Sequence, residues 1–194
     1  LDTITSPADL RGLSYDTLNV LCASLREFIV DSVSRTGGHL ASNLGAVELT
    51  VAIHRVFDTS RDRLVFDVGH QCYIHKMLTG RREEMAGLRQ YGGIAGFPKP
   101  GESVHDAFIA GHASNSVAVA VGMVQARAAL GQDYQVAALI GDGALTGGLA
   151  YEGLSNGGQC GQQLLVILND NGMSIDRNVG AVARHLAQQR LKPQ

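Results

Sequence analysis

Residues 136–144 read VAALIGDGA, and this stretch decides the fold. Val136 to Ile140 is a short apolar run that meets Gly141-Asp142-Gly143-Ala144, with a helical pattern from Leu145 to Gly157 directly after it. A brief apolar run bounded by glycine is the pattern of a buried strand. Two glycines around one carboxylate at a strand's C-terminal end make a tight turn. Such a turn aims backbone N–H groups and a helix start at one point, where phosphate oxygens are stabilised. The Asp would repel phosphate there unless a cation lay between them.

The next strand pattern, Leu164 to Leu168, ends in Asn169-Asp170-Asn171. Asp142 and Asn171 are therefore expected at the same edge of adjacent strands, where open α/β sheets bind their ligands. A carboxylate and an amide carbonyl are hard oxygen donors of the kind magnesium takes, one or two at a time, beside phosphate and water. Blander roles stand next to these. Asp142 could cap the following helix, and Asn171 could be an ordinary turn residue in NDNG. Gly143 to Gly148 is not followed by Lys-Ser or Lys-Thr, and Gly141-x-Gly143 lacks the third glycine of a dinucleotide fingerprint.

Outward from this centre, Leu18, Leu21, Leu25, Phe28, Ile29 and Val33 have helical spacing, and Ser14 is a suitable N-cap, so a helix is expected near 14–35, ended by Gly37 and Gly38. Val47 to Val56 is a second helix, and RLVFDV at 63–68 a strand. Residues 80–106, rich in glycine with Pro98 and Pro100, read as a long irregular connection with about one helical turn, of the kind often functional. Ser114 to Leu130 is a small-residue helix, more suited to packing or a subunit contact than to chemistry. The alternation of strand and helix predicts an α/β fold, a parallel sheet with helices on both faces.

Composition narrows the function classes. The 194 residues suit one sizeable domain, and 16 basic residues nearly balance 18 acidic ones without a basic stripe, so no nucleic-acid partner is expected. Cys22, Cys72 and Cys160 are three scattered cysteines with no CxxC pair, which suits a reducing, cytoplasmic setting. No apolar stretch approaches the length that spans a bilayer. The start has neither Met nor a charged head before an apolar block, so no secretory signal is expected and the chain reads as a fragment.

Five blocks in order carry a resemblance: GGHLASNLGAVELTVAIHRVF (37–57), FDVGHQCYIHKMLTGRR (66–82), AGHASNSVAVAVGM (110–123), GDGALTGGLAYEGL (141–154) and VILNDNGMSIDRNVGA (166–181). Together they resemble the N-terminal part of the 1-deoxy-D-xylulose-5-phosphate synthase family, a group of transketolase-like enzymes that hold magnesium and thiamine diphosphate. The resemblance implies roles at matching positions. Asp142 and Asn171 match magnesium ligands, joined by the backbone carbonyl of Met173. Gly143 and Ala144 match residues lining the diphosphate. His70 and the Gly111-His112-Ala113 segment match cofactor contacts, and His39 matches a histidine close to the reacting carbon, so His39 and His70 are the expected catalytic residues. The resemblance further implies pyruvate and D-glyceraldehyde 3-phosphate as substrates and a homodimer.

There are two departures. The family usually has Ser where this chain has Ala113, so one hydroxyl contact is in doubt. The family also continues into a domain that binds the aminopyrimidine and supplies an essential Glu, which no residue here matches. Residues 1–194 are accordingly expected to be the diphosphate- and magnesium-binding domain, inactive alone, with Glu48 and Glu152 the first carboxylates to test as substitutes. A separate N-terminal subunit of a split transketolase-like enzyme and a non-catalytic cofactor-binding module are the alternatives. Taken singly, His39, His70 and His112 each follow Gly and are expected on exposed turns; His54 and His75 are expected to be structural, and Cys72 a buried small hydrophobe.

Overall fold

The structure, a computed structural model, describes residues 3–170 and 179–190. A 3-10 turn over Pro7–Leu10 leads into α1 (Tyr15–Thr36), α2 (Leu40–Leu44) and α3 (Val47–Val56). Next come β1 (Arg63–Phe66), α4 (Tyr73–Lys76) and two further turns, Met77–Arg81 and Glu83–Gly87. After the long connection follow α5 (Ser116–Ala129), β2 (Val136–Gly141), α6 (Asp142–Leu145), α7 (Gly148–Gln159), β3 (Leu165–Asn169) and α8 (Ala181–Arg190).

Local chemistry sets these bounds. The Ser14 hydroxyl accepts from the Thr17 N–H at the start of α1, satisfying one of the donors that a helix start leaves unpaired. At the far end Gly37 adopts φ +74° and donates its N–H to the Val33 carbonyl, a conformation that costs glycine little. Leu18, Leu21, Leu25, Ile29 and Val33 form the buried stripe of α1.

The three strands are parallel in the order β1-β2-β3, with Arg63 opposite Val136 and Ala137 opposite Leu165. Alternate strand residues face opposite layers, as the two-residue period of a strand requires. Leu64, Phe66, Ala137, Leu139 and Ile167 join α1, α3 and α4 in one core, while Val65, Val136, Ala138, Ile140, Val166 and Leu168 join α5 and α7 in the other. The expected parallel sheet covered on both faces is therefore observed. Because the chain steps the same way from β1 to β2 to β3, crossovers of one hand bring α5 and α7 onto the same face.

Three elements escaped the sequence reading. α2 and α4 are single turns of four or five residues, too short for a helical period to register. Among the described residues α8 carries Val182 and Leu186 against the second core, a sparse stripe. The helix expected from Leu145 starts at Gly148, after α6 has already made one turn from Asp142. The connection after residue 80 contains the 3-10 turn Glu83–Gly87 and is otherwise irregular up to α5.

α5 and α7 meet through small residues. A Cβ built on Gly153 would lie 2.8 Å from the Ala118 nitrogen, a backbone atom that cannot swing aside. Gly158, on the same helix, has nothing within 4 Å. Gly153→Ala should therefore lose about 1–3 kcal/mol by overpacking, whereas Gly158→Ala should gain about 0.5–1 kcal/mol from helix propensity. Urea midpoints of the two variants check this: a Gly153→Ala protein as stable as Gly158→Ala would contradict the close crossing.

Candidate functional site

The site is built at the C-terminal edge of the sheet, and Asp67 assembles it. Asp67 follows β1 directly and is buried. Its two carboxylate oxygens accept the backbone N–H groups of Ser114 at 2.7 Å and Ser116 at 2.9 Å. Ser116 is the first residue of α5, so the charge also sits at the positive end of a fourteen-residue helix. The Ser114 hydroxyl then donates to the Ala144 carbonyl at 2.6 Å. Two contacts thus draw the 111–114 segment and the GDG turn together at the ends of β1 and β2.

The arrangement is tight and partly strained. A Cβ on Gly147 would come within 1.9 Å of the Ser114 hydroxyl, so only glycine fits there. Val68 and Ser114 take φ +58° and +76°, values costly for residues with a Cβ and persistent only where the surroundings enforce them.

Asp142 is the first residue of α6, and the N-cap is Gly141 in extended backbone. The capping role considered for Asp142 does not hold. Gly141 lies opposite Asn169 in the β2–β3 ladder, so Asp142 and Asp170 leave the sheet at one edge. Asn169 is buried there with its Nδ2 unpaired among the described residues. Asn171 and Met173 lie outside the described residues. Gly143 and Ala144 are half-buried, and Gly111, His112 and Ala113 are exposed.

The two expected catalytic histidines come together. The His39 and His70 rings meet edge to face with centroids 5.4 Å apart, and Phe97 stands on His39 at 6.3 Å. Their backbones are joined by Asn43, a fully buried residue whose Nδ2 donates to the His39 and His70 carbonyls, both at 2.7 Å, while its Oδ1 accepts from the Tyr73 N–H. The Tyr73 hydroxyl accepts from the His39 N–H, and a Cβ on Gly38 would strike it at 2.7 Å. His39 and His112 are exposed as expected, but His70 is half-buried with its Nδ1 enclosed and unpaired among the described residues. Burial, and then the neighbouring His39, lower the His70 pKa, with Asp67 pulling weakly the other way.

His54 and His75 are structural in a specific sense. His54 Nε2 lies 2.8 Å from His75 Nδ1, and His75 Nε2 lies 2.8 Å from Asp106 Oδ1. An ionised Asp106 fixes the tautomers: His75 donates from Nε2 and accepts at Nδ1 from His54. Arg81 grips Asp106 through both guanidinium nitrogens, and buried Lys76 pairs with Glu102 at 2.6 Å. Cys72, likewise expected to be buried, is fully enclosed, and burial pushes its thiol up to about 12. Glu48 pairs with Arg26 on the surface, and Glu152 is exposed on α7.

Asp67, Asn43 and Phe97 were not singled out from the sequence. Asp67 had a signal, since Asp is depleted in strands and here closes an apolar run. Asn43 and Phe97 are placed by contacts between distant segments, which no local pattern carries.

With this geometry in view, comparison with known proteins gives the class first. The fold is of the transketolase type: a transketolase variant from Pichia stipitis superposes with TM-score 0.68 at 26% identity, covering 80% of this chain and 27% of that one. A family model described as 1-deoxy-D-xylulose-5-phosphate synthase matches residues 1–194. The chain belongs to the 1-deoxy-D-xylulose-5-phosphate synthase family. Synthases from Thiobacillus denitrificans and Porphyromonas gingivalis are 61% and 57% identical over 97% and 96% of this chain. The chain spans about 30% of the length of these relatives.

The buried network makes the fold sensitive to acid. Burial holds His54 well below the ordinary imidazole value and His75 below it, even with Asp106 beside His75. Asp106 is held far below the carboxylate range by His75 and Arg81, against its own burial. Groups with a depressed folded pKa stabilise above their unfolded values and lose that contribution as pH falls. Stability should therefore decline below pH about 6.5, where unfolded imidazoles take up protons, and decline further below about 4. Urea midpoints from pH 8 to 4 test this, and His54→Gln should flatten the first part of the fall. A midpoint independent of pH from 7 to 5 would contradict a neutral histidine pair.

Proposed function

We propose that this chain is the diphosphate- and magnesium-binding region of a 1-deoxy-D-xylulose-5-phosphate synthase. The observation that carries the reading is the convergence, through Asp67 and Ser114, of the 111–114 segment and the GDG turn at the C-terminal edge of a parallel sheet. Residues that would hold a hard cation and a diphosphate are those at this edge. Asp142 offers one carboxylate, and Asn169, opposite Gly141 in the ladder, has a buried Nδ2 donor without a partner among the described residues. Among the described residues no three or more His, Cys, Asp or Glu side chains gather as a metal cage, and a magnesium ion shared with a diphosphate requires only one or two protein carboxylates.

In this reading Asp142, Asn171 and the Met173 carbonyl hold magnesium. Gly143, Ala144, Gly111, His112 and Ala113 line the cofactor. His70 contacts it, and His39 and His70 hold or move protons near the reacting carbon. Thiamine diphosphate, when bound, supplies the carbanion chemistry, while the protein supplies orientation and electrostatics. The overall reaction joins pyruvate, with loss of carbon dioxide, to D-glyceraldehyde 3-phosphate. The aminopyrimidine side of the cofactor would be served from outside these 194 residues.

A cytoplasmic homodimer completes the proposal. No described helix is long and apolar enough to cross a membrane. Leu149, Tyr151 and Leu154 of α7 and Leu165 of the edge strand β3 are exposed apolar side chains, which suits further covering by protein.

Calorimetry of the chain with thiamine diphosphate tests the assignment. Binding should be weak but magnesium-dependent, and Asp142→Ala should cost at least about tenfold, since losing even the outer contacts of a metal site costs about 10–100-fold. Equal affinity in magnesium and in a chelator would overturn the metal assignment.

A further inference from the structure

The connection from Ala95 to Asp106 is a strap fastened at several points, and its clasp is buried. Asp106 accepts from the Lys99 N–H at 2.7 Å, closing the strap on itself, and from both nitrogens of Arg81 and from His75. Glu102 accepts from the Ala95 N–H at 2.8 Å and from Lys76. The Cys72 thiol donates to the Gly96 carbonyl. Two carboxylates thus meet two cations, so the clasp is neutral overall, and the side chains of Asp106, Lys76, His75 and Arg81 are almost wholly enclosed. An enclosed network of paired charges has few alternative arrangements, because any shift strands a charge without its partner.

What the strap carries lies at the site. The Phe97 ring lies tilted against that of His39 with centroids 6.3 Å apart, and His39 in turn meets His70 edge to face. Phe97 and Pro98 also lie over Gly69, where a Cβ would meet Pro98 Cδ at 2.8 Å. Gly69 precedes His70 in the turn that follows β1. The strap therefore touches both histidine-bearing segments, and neither Asp106 nor Glu102 touches either histidine.

We infer that Asp106 and Glu102 are positioning residues for the His39–His70 pair, acting through the strap and the ring of Phe97. The inference deepens the proposed function, since it matters for catalysis only if His39 serves the reacting carbon as proposed. The Asn43 bonds fix the backbones of the two histidines, whereas the side chain of His39, exposed on its turn, makes ring contacts and no side-chain hydrogen bond among the described residues. Phe97 supplies one of those rings, and the clasp decides where that ring stands.

Histidine side-chain NMR of the full chain, free of cofactor, tests this without depending on activity. Ring protons of His39 lie near two other rings, so their resonances report the placement of Phe97. Phe97→Leu should move the His39 resonances, and Phe97→Tyr should restore them to near the parent position. Asp106→Asn and Glu102→Gln should move them in the same direction as Phe97→Leu while His185 on α8 stays in place. If Phe97→Leu leaves His39 unmoved, or if the two carboxylate variants are folded yet keep the parent His39 and His70 resonances, the inference is overturned. Should Asp106→Asn not fold, Glu102→Gln decides alone, its side chain being the less enclosed of the two. Adding magnesium and thiamine diphosphate to the same samples separates the two claims: a parent spectrum unmoved by the cofactor counts against the proposed function, not against the strap.

Discussion

The carboxylate of Asp67, accepting two backbone N–H groups at the start of α5, is the contact on which the site depends. It is buried at the end of the first strand, and its partners belong to a segment 47 and 49 residues further along the chain. Hydrogen bonds to a charged group contribute about 1.5–3 kcal/mol each, and the penalty for leaving the partners buried and unpaired is of similar size. That is enough to hold Ser114 at a positive φ and to close the gap to the GDG turn. Everything else at the sheet edge is set by this closure: the Ser114 hydroxyl reaches Ala144, and Gly147 must remain without a side chain. The sheet supplies the level edge, and Asp67 brings the loops to it.

Around that edge the protein uses two different means of holding polar groups. Asn43 satisfies three backbone groups with one neutral amide, which fixes the chain at His39, His70 and Tyr73 without any charge. The clasp beneath the 95–106 strap uses paired charges and a His54–His75–Asp106 line of hydrogen bonds. The first is insensitive to pH and the second is not. Both lie on the α1 and α3 side of the sheet, whereas the GDG turn and the 111–114 segment belong to the α5 and α7 side. The proposed cofactor site is thus supported from both layers.

Much of this was legible beforehand. Strand-and-helix alternation predicts the parallel sheet with helices on both faces, and the GDG turn follows β2 as the apolar run before it suggests, because buried strands and long amphipathic helices leave periodic traces. Ser14 and Gly37 mark the ends of α1 through local chemistry alone. The single-turn helices α2 and α4 left no trace, since four or five residues cannot display a 3.6-residue period. His70 was expected on an exposed turn because Gly69 precedes it, but the strap covers that turn, and tertiary packing half-buries the imidazole. Asp142 sits one residue inside its helix rather than at the cap, which a glycine on either side of it did not reveal. Asp67, Asn43 and Phe97 bind partners from 27 to 58 residues away in sequence, a range at which one sequence holds no register.

Hydrogen exchange at the amides of Ser114 and Ser116 tests the dependence on Asp67 most directly. Comparison of the parent chain with Asp67→Ala should show strong protection at both amides in the parent. In the variant that protection should be lost, together with faster exchange across residues 141–147, while Leu139 and Ile140 within β2 stay protected. Unchanged protection at Ser114 and Ser116 in a folded Asp67→Ala chain would contradict the account, because the site would then be held together by something other than this carboxylate.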